Sequence, residues 1–201
     1  MTRQEFITYP AVSASRIKKY YTGSIDYAKI ALRKGASFHE QLLERDVEEM
    51  SEEASNVNRC IIEHPIARTI FQGALKEFPE AKNIEVFSGL VVTAKACYDV
   101  YNKELNIIAD VKTTSAKSLE KFQYDMVSHC NHIQAVWYCM VSGIDPKNYF
   151  YIGVPPNAKQ KNSTPNDIYV CRHTDQEVIN ARDLIKSYFK LQRSEIEKFV
   201  V

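Results

Sequence analysis

Asp99 and the triplet Asp110-Val111-Lys112 place two carboxylates and an ammonium in one stretch whose pattern is that of two β-strands. The strand signals cover residues 90–101 and 105–112, joined by a tight connection. Along the second strand a period of two puts Ile108, Asp110 and Lys112 on one face, with Ile107, Ala109 and Val111 packed behind. A connection centred between Lys103 and Glu104 sets Asp99 opposite Ile108 and diagonal to Asp110, whereas a slip of one residue turns Asp99 away. Two carboxylates so placed can share one divalent ion. Mg²⁺ prefers oxygen ligands and keeps several waters, so two carboxylates and a backbone carbonyl make a sufficient phosphoryl-transfer site. The lysine would hold the attacking water or neutralise charge on the phosphate. The same three residues also fit the solvated face of a half-buried hairpin.

The elements that must position these groups begin with helices. Pro10, Ser13 and Ser15 open a short helix through Lys18, Lys19, Tyr20 and Tyr21, a basic-aromatic patch that suits either a nucleic-acid backbone or a core edge. Residues 27–44 are helical in pattern, with Leu32, Ala36, His39 and Leu43 on one stripe. His39 therefore faces inward, as a core histidine or as a ligand. An acidic stretch follows over residues 45–56. Helical periodicity then returns from Val57 through Ile66, Ile70, Ala74 and Phe78, and Pro79 closes a helical first third.

Strand signals start at Ile84, with Glu85 either a further metal-site carboxylate or an exposed strand residue. Helices are predicted over 118–127 and 129–141, the second capped by Gly143. Gln134 and Tyr138 lie one turn apart on that helix, beside Trp137, and fit a phosphate contact or a helix rim. Strands at 149–154 and 167–171 flank a cationic loop with Pro155, Pro156, Lys159, Lys161 and Pro165, predicted to be mobile. A last helix runs from the capping box of Thr174 and Glu177 to about Phe199.

With 201 residues, 45% of them hydrophobic, the chain can bury a substantial core, and a single domain over 1–201 is expected. Residues 1–80 form its mostly helical part, and 81–201 its sheet core and flanking helices. The net charge of +1 points to no polyanion by bulk electrostatics, so any basic surface must be local. Five widely spaced cysteines without a C-x-x-C pair argue against a zinc or iron-sulfur site and suit a reducing cytoplasm. No apolar run reaches the roughly 18 residues that span a bilayer, and no membrane association is expected.

The ordered set of motifs resembles the PD-(D/E)-x-K nuclease superfamily, in its RecE-like and RecB-like, lambda-exonuclease-related branch. It comprises Gly35-Ala36-Ser37-Phe38-His39 with Leu42-Leu43-Glu44, then Glu85, Asp99, Asp110-Val111-Lys112-Thr113-Thr114 and Gln134-Ala135-Val136-Trp137-Tyr138. The resemblance implies an α/β fold of the restriction-endonuclease type, a central mixed sheet flanked by helices. It implies Asp99, Asp110, the Val111 carbonyl and His39 around Mg²⁺ or Mn²⁺, with Glu85 as an auxiliary acid and Lys112 activating the attacking water. Gln134, Tyr138, Thr113 and Lys117 would contact DNA. It further implies 5′–3′ digestion of linear duplex DNA in phage-type recombination or repair, a ring-shaped trimer or tetramer, and a single-strand annealing partner. The alternative is a nuclease fold kept as a DNA-binding or protein-interaction module with cleavage weak or lost.

Overall fold

In the computed structural model, which describes residues 3–23, 38–43 and 50–201, a long hairpin forms the spine. It pairs β2 (Leu75–Phe87) antiparallel with β3 (Leu90–Asn102). On its other side β3 meets β1 (Val12–Ser13) in parallel and β4 (Ile107–Thr113) antiparallel. β4 continues in parallel to β5 (Tyr149–Val154), and β5 antiparallel to β6 (Tyr169–Cys171). A six-stranded mixed sheet results, in the order β1-β3-β4-β5-β6 with β2 on β3.

Helices cover both faces of this sheet because its strands are apolar on both. One face packs Ala109, Val111 and Ile152 against a helix over 38–43 (α3), α4 (Glu52–Glu63) and α5 (Pro65–Phe71). The other packs Ile108, Tyr149 and Tyr151 against α2 (Ala14–Thr22), α6 (Leu119–Ser128), α7 (Asn131–Ser142) and α8 (Asp175–Leu191). Parallel strands need a crossover, and α6 and α7 supply the one between β4 and β5. Trp137 of α7 is fully buried, stacks on Phe189 at 5.8 Å and donates its ring N–H to the Lys95 carbonyl at 3.2 Å. The N-terminal α1 (Arg3–Thr8) is held by the Lys95 ammonium, which donates to the carbonyls of Phe6, Ile7 and Tyr9. No helix of the described residues is long and apolar enough to cross a membrane.

The expected alternation along β4 is observed, as are the strand over 149–154, the Gly143 cap and the Thr174–Glu177 capping box. Four expectations are corrected. The helical first third stops at Phe71 rather than Pro79, because the chain leaves α5 through Gly73 at φ +70° and enters β2. Pro79 sits inside that strand, where its missing N–H is tolerated because β2 pairs only with β3 among the described residues. The last long helix ends at Leu191, and a separate short turn, α9 (Arg193–Ile196), follows. The loop predicted to be mobile is tied to α4: Arg59 donates to the Lys161 carbonyl at 2.9 Å, and Asn56 to that of Lys159 at 3.1 Å.

The hairpin register is shifted by two residues, with Tyr101 rather than Asp99 opposite Ile108. Asn102 explains the shift. It is 2% exposed, donates to the carbonyls of Thr69, Ile70 and Gln72 at the end of α5, and accepts the Leu105 N–H at 3.1 Å. That buried amide fixes a turn over residues 103–106, closed by Asn106 in the left-handed region at φ +53°. A two-residue shift preserves the side-chain face, and Asp99 stays near enough to Asp110 for its charge to be felt there. The pattern stripe over residues 27–44 lies outside the described residues except for 38–43, which are helical.

Gly153 in β5 is needed for packing. A Cβ there would meet Phe122 Cζ at 2.8 Å, and Phe122 is fully buried. Gly153→Ala is therefore expected to lower stability by about 1–3 kcal/mol in urea titrations, the usual cost of overpacking. Phe122→Leu in the same chain should recover part of the loss.

Candidate active site

Asp99 lies where β3 loses backbone pairing on both sides. The β2 ladder passes from Lys76↔Val100 to Phe78↔Tyr98 without pairing Glu77 to Asp99, and the β4 ladder stops at Val100↔Ala109. Glu77 adopts φ +48°, uncommon for a residue with a side chain and a form of strain that clusters at functional sites. In the gap toward β4 the Asp99 side chain replaces the missing backbone. Its Oδ2 accepts the Val111 N–H at 2.8 Å. An extended residue sends its N–H and C=O to the same side, so the Val111 carbonyl also faces this gap.

His39, on α3, stands between two acids. Its Nε2 is 2.8 Å from Asp99 Oδ2 and its Nδ1 3.2 Å from Glu77 Oε1. One ligand atom from each of His39, Glu77 and Asp99 lies within 4.8 Å of the others. Burial disfavours the imidazolium, but the hydrogen bonds and charges of Asp99 and Glu77 outweigh it and push His39 up to about 10. Burial likewise disfavours the Asp99 anion, yet His39, Lys112 and the Val111 N–H hold its carboxyl below the usual range.

Asp110, 1% exposed on β4, is gripped from both sides. Gln134 on α7 donates to its Oδ1 at 2.8 Å, and Lys112 Nζ is 2.6 Å from its Oδ2. Burial lifts the Asp110 carboxyl to about 6, Lys112 opposing and Asp99 adding to the rise. Burial also works against the Lys112 ammonium, but Asp110 and Asp99 raise its pKa, so it is cationic at neutral pH.

The structure thus brings together Asp99, Asp110, Lys112, His39, Val111 and Gln134. Tyr138, one turn past Gln134, is half-buried beside Tyr98, at 5.4 Å between ring centroids. Burial and the two aspartates raise its hydroxyl well above the usual range, so it stays protonated. Thr113 and Lys117 are exposed just beyond Lys112. Glu85 is elsewhere, a correction to its expected role. It is exposed beside the β2–β3 turn, opposite Val91, where its Oε1 accepts the Gly89 N–H at 3.0 Å. Eight strand residues separate Val91 from Asp99, roughly 26 Å at about 3.3 Å per residue.

The acid beside His39 and Asp99 is Glu77, which the sequence reading missed. Its surroundings read as the end of a helix, and the only signal was the strand-like spacing of residues after Gly73. Next to the acids, Gln134 and Tyr138 form one wall of a cleft of about 550 Å³ that also presents Lys18 and Lys19 of α2. Burial and the nearby Lys112 lower the Lys18 ammonium to about 8. Lys95 also lines this cleft, but the carbonyls of Phe6, Ile7 and Tyr9 already engage it.

The donor set fits a hard divalent cation. With His39 neutral, the three carboxylates and the Lys112 ammonium carry a net charge of minus two, which one such ion cancels. No family profile and no curated protein sequence matches the chain. Among solved structures, it is similar to a protein of Eubacterium rectale assigned as an exonuclease, at 15% identity and a TM-score of 0.48 over 89% of this chain. The chain spans 64% of that protein's length. It is also similar to a phage-related exonuclease of Haemophilus somnus, at 13% identity and a TM-score of 0.38, over 96% of this chain and 99% of the other.

The raised His39 pKa makes a stability prediction for the metal-free protein. An imidazole that titrates near 6.5 when unfolded and about 10 when folded adds stability below pH 6.5 and loses it as pH rises through 10. In EDTA, the stability difference between the parent chain and His39→Gln should shrink steadily from pH 6.5 to 10 in denaturant titrations. A difference that does not change with pH would show that His39 is not held as a cation.

Proposed function

We propose that the chain is a metal-dependent deoxyribonuclease that hydrolyses phosphodiester bonds, acting as a 5′–3′ exonuclease on linear duplex DNA in phage-type recombination or repair. The observation that carries the reading is the His39–Glu77–Asp99 cluster set across a strand gap from the Asp110–Lys112 pair. A purely structural sheet gives no reason to bury three carboxylates, an imidazole and an ammonium together, since each charge removed from water carries a penalty. The motif resemblance supplies the polarity, the duplex substrate, the ring-shaped oligomer and the annealing partner.

His39, Glu77, Asp99 and Asp110 would hold Mg²⁺ or Mn²⁺, with the Val111 carbonyl turned toward the same gap. Such an ion lowers the pKa of bound water and stabilises charge on a phosphate under attack. Lys112 orients the nucleophile and offsets negative charge at the scissile phosphate from its place on Asp110. Gln134 keeps the Asp110 carboxylate aimed, because its amide occupies Oδ1 and leaves Oδ2 to the lysine. Lys18 and Lys19, with Thr113 and Lys117 at the sheet end, would receive the DNA backbone, and Tyr138 closes the inner wall.

Lys112→Ala and Asp110→Asn should each reduce cleavage at least about 10²-fold with circular dichroism unchanged. The assay is digestion of end-labelled linear duplex and covalently closed circular DNA in Mg²⁺, Mn²⁺ or EDTA. Cutting of the circle would overturn the exonuclease assignment, and a folded parent chain that cuts neither would overturn the nuclease reading. Glu77→Gln should weaken Mn²⁺ binding in calorimetry about tenfold or more, while Glu85→Gln leaves it unchanged.

A further inference from the structure

On the α4–α5 side of the sheet lies a second cavity of about 640 Å³, separate from the cleft beside the acids. Its apolar lining comes from Ile62 of α4 and the half-buried Phe71 of α5, above the buried Ile61, and its charged lining from Arg68 and Lys76. Ile62 is 54% exposed, and Ile66 of α5 and Leu75 at the start of β2 are exposed on the same elements. Burying aliphatic side chains removes apolar surface from water, so exposed ones grouped together are a ready source of binding energy. Among the described residues no acid lines the groove, and neither Arg68 nor Lys76 pairs with a carboxylate. Lys76 makes one long contact to the Leu42 carbonyl, at 3.5 Å.

An apolar trough with two cations and no anion selects a ligand of the opposite character. We propose that it docks an acidic, apolar peptide segment of a partner protein, with aliphatic or aromatic side chains on Ile62 and Phe71 and carboxylates on Arg68 and Lys76. Self-pairing across a two-fold axis is disfavoured, because the same cations would face each other. A nucleic-acid backbone would satisfy the cations and leave Ile62 and the phenylalanine wet. The groove also adjoins the acid cluster. Lys76 precedes Glu77 and touches the carbonyl of Leu42 on α3, the helix that carries His39, so a docked segment would lie beside the elements that position both ligands.

The test is fluorescence anisotropy of the full chain with an end-labelled peptide in which leucines and a phenylalanine alternate with aspartates. A version with lysines for aspartates serves as the control. The expected result is saturable binding of the acidic peptide at tens of micromolar and none of the basic one, weakened about tenfold by Arg68→Glu, Lys76→Glu or Ile62→Asp. These positions are accessible, so unchanged melting temperatures would separate lost binding from lost fold. Failure of the acidic peptide to bind, or equal binding of both peptides, would overturn the proposal. So would displacement of the peptide by duplex DNA, or a dimer in sedimentation that Ile62→Asp dissociates.

Discussion

The bond from the Val111 N–H to Asp99 Oδ2 is the constraint on which the site depends. It replaces a rung of the β3–β4 ladder with a side chain, so the strands separate where the acids gather while the Val111 N–H keeps a partner. A buried backbone donor without a partner costs about 1–3 kcal/mol, which gives the carboxylate a structural part in the sheet. The same oxygen meets His39, so sheet geometry, helix position and charge converge on one atom.

Around it the charges are arranged so that no carboxylate is isolated. Asp99 faces His39, Glu77 faces the other nitrogen of the same ring, and Asp110 faces Lys112 and Gln134. In the metal-free protein the protonated imidazole balances two acids, which explains its elevated pKa. On the proposed function, a divalent ion would answer the same electrostatic need as the imidazolium proton and compete with it.

Asn102 plays the corresponding part for the backbone. By binding the carbonyl end of α5 and the start of the β3–β4 turn, it ties the helical layer to the hairpin and sets the register that brings Asp99 level with Asp110. The two cores on either side of the sheet then hold α3 and α7 at opposite faces. His39 and Gln134 reach the acids from those two directions.

Local pattern carried much of this architecture. The period-two run through Ile108, Asp110 and Lys112, the Gly143 cap and the Thr174 capping box depend on residues close together in the chain, and all appear in the structure as the sequence implies. The order of the motifs pointed to Asp99, Asp110, Lys112, His39 and Gln134, and these residues meet. What lay beyond the sequence was set by contacts between distant segments. Whether the second acid is Glu77 or Glu85 depends on where β2 begins and how it pairs with β3: Glu77 reads as part of a helix and Glu85 as a strand carboxylate until that pairing places the first beside Asp99 and the second at a far turn. The two-residue shift of the hairpin depends on Asn102 finding the end of α5, more than thirty positions earlier in the chain for two of its three carbonyls. Spacing along a chain fixes which face a side chain takes. Only packing in three dimensions decides which other side chain it meets there.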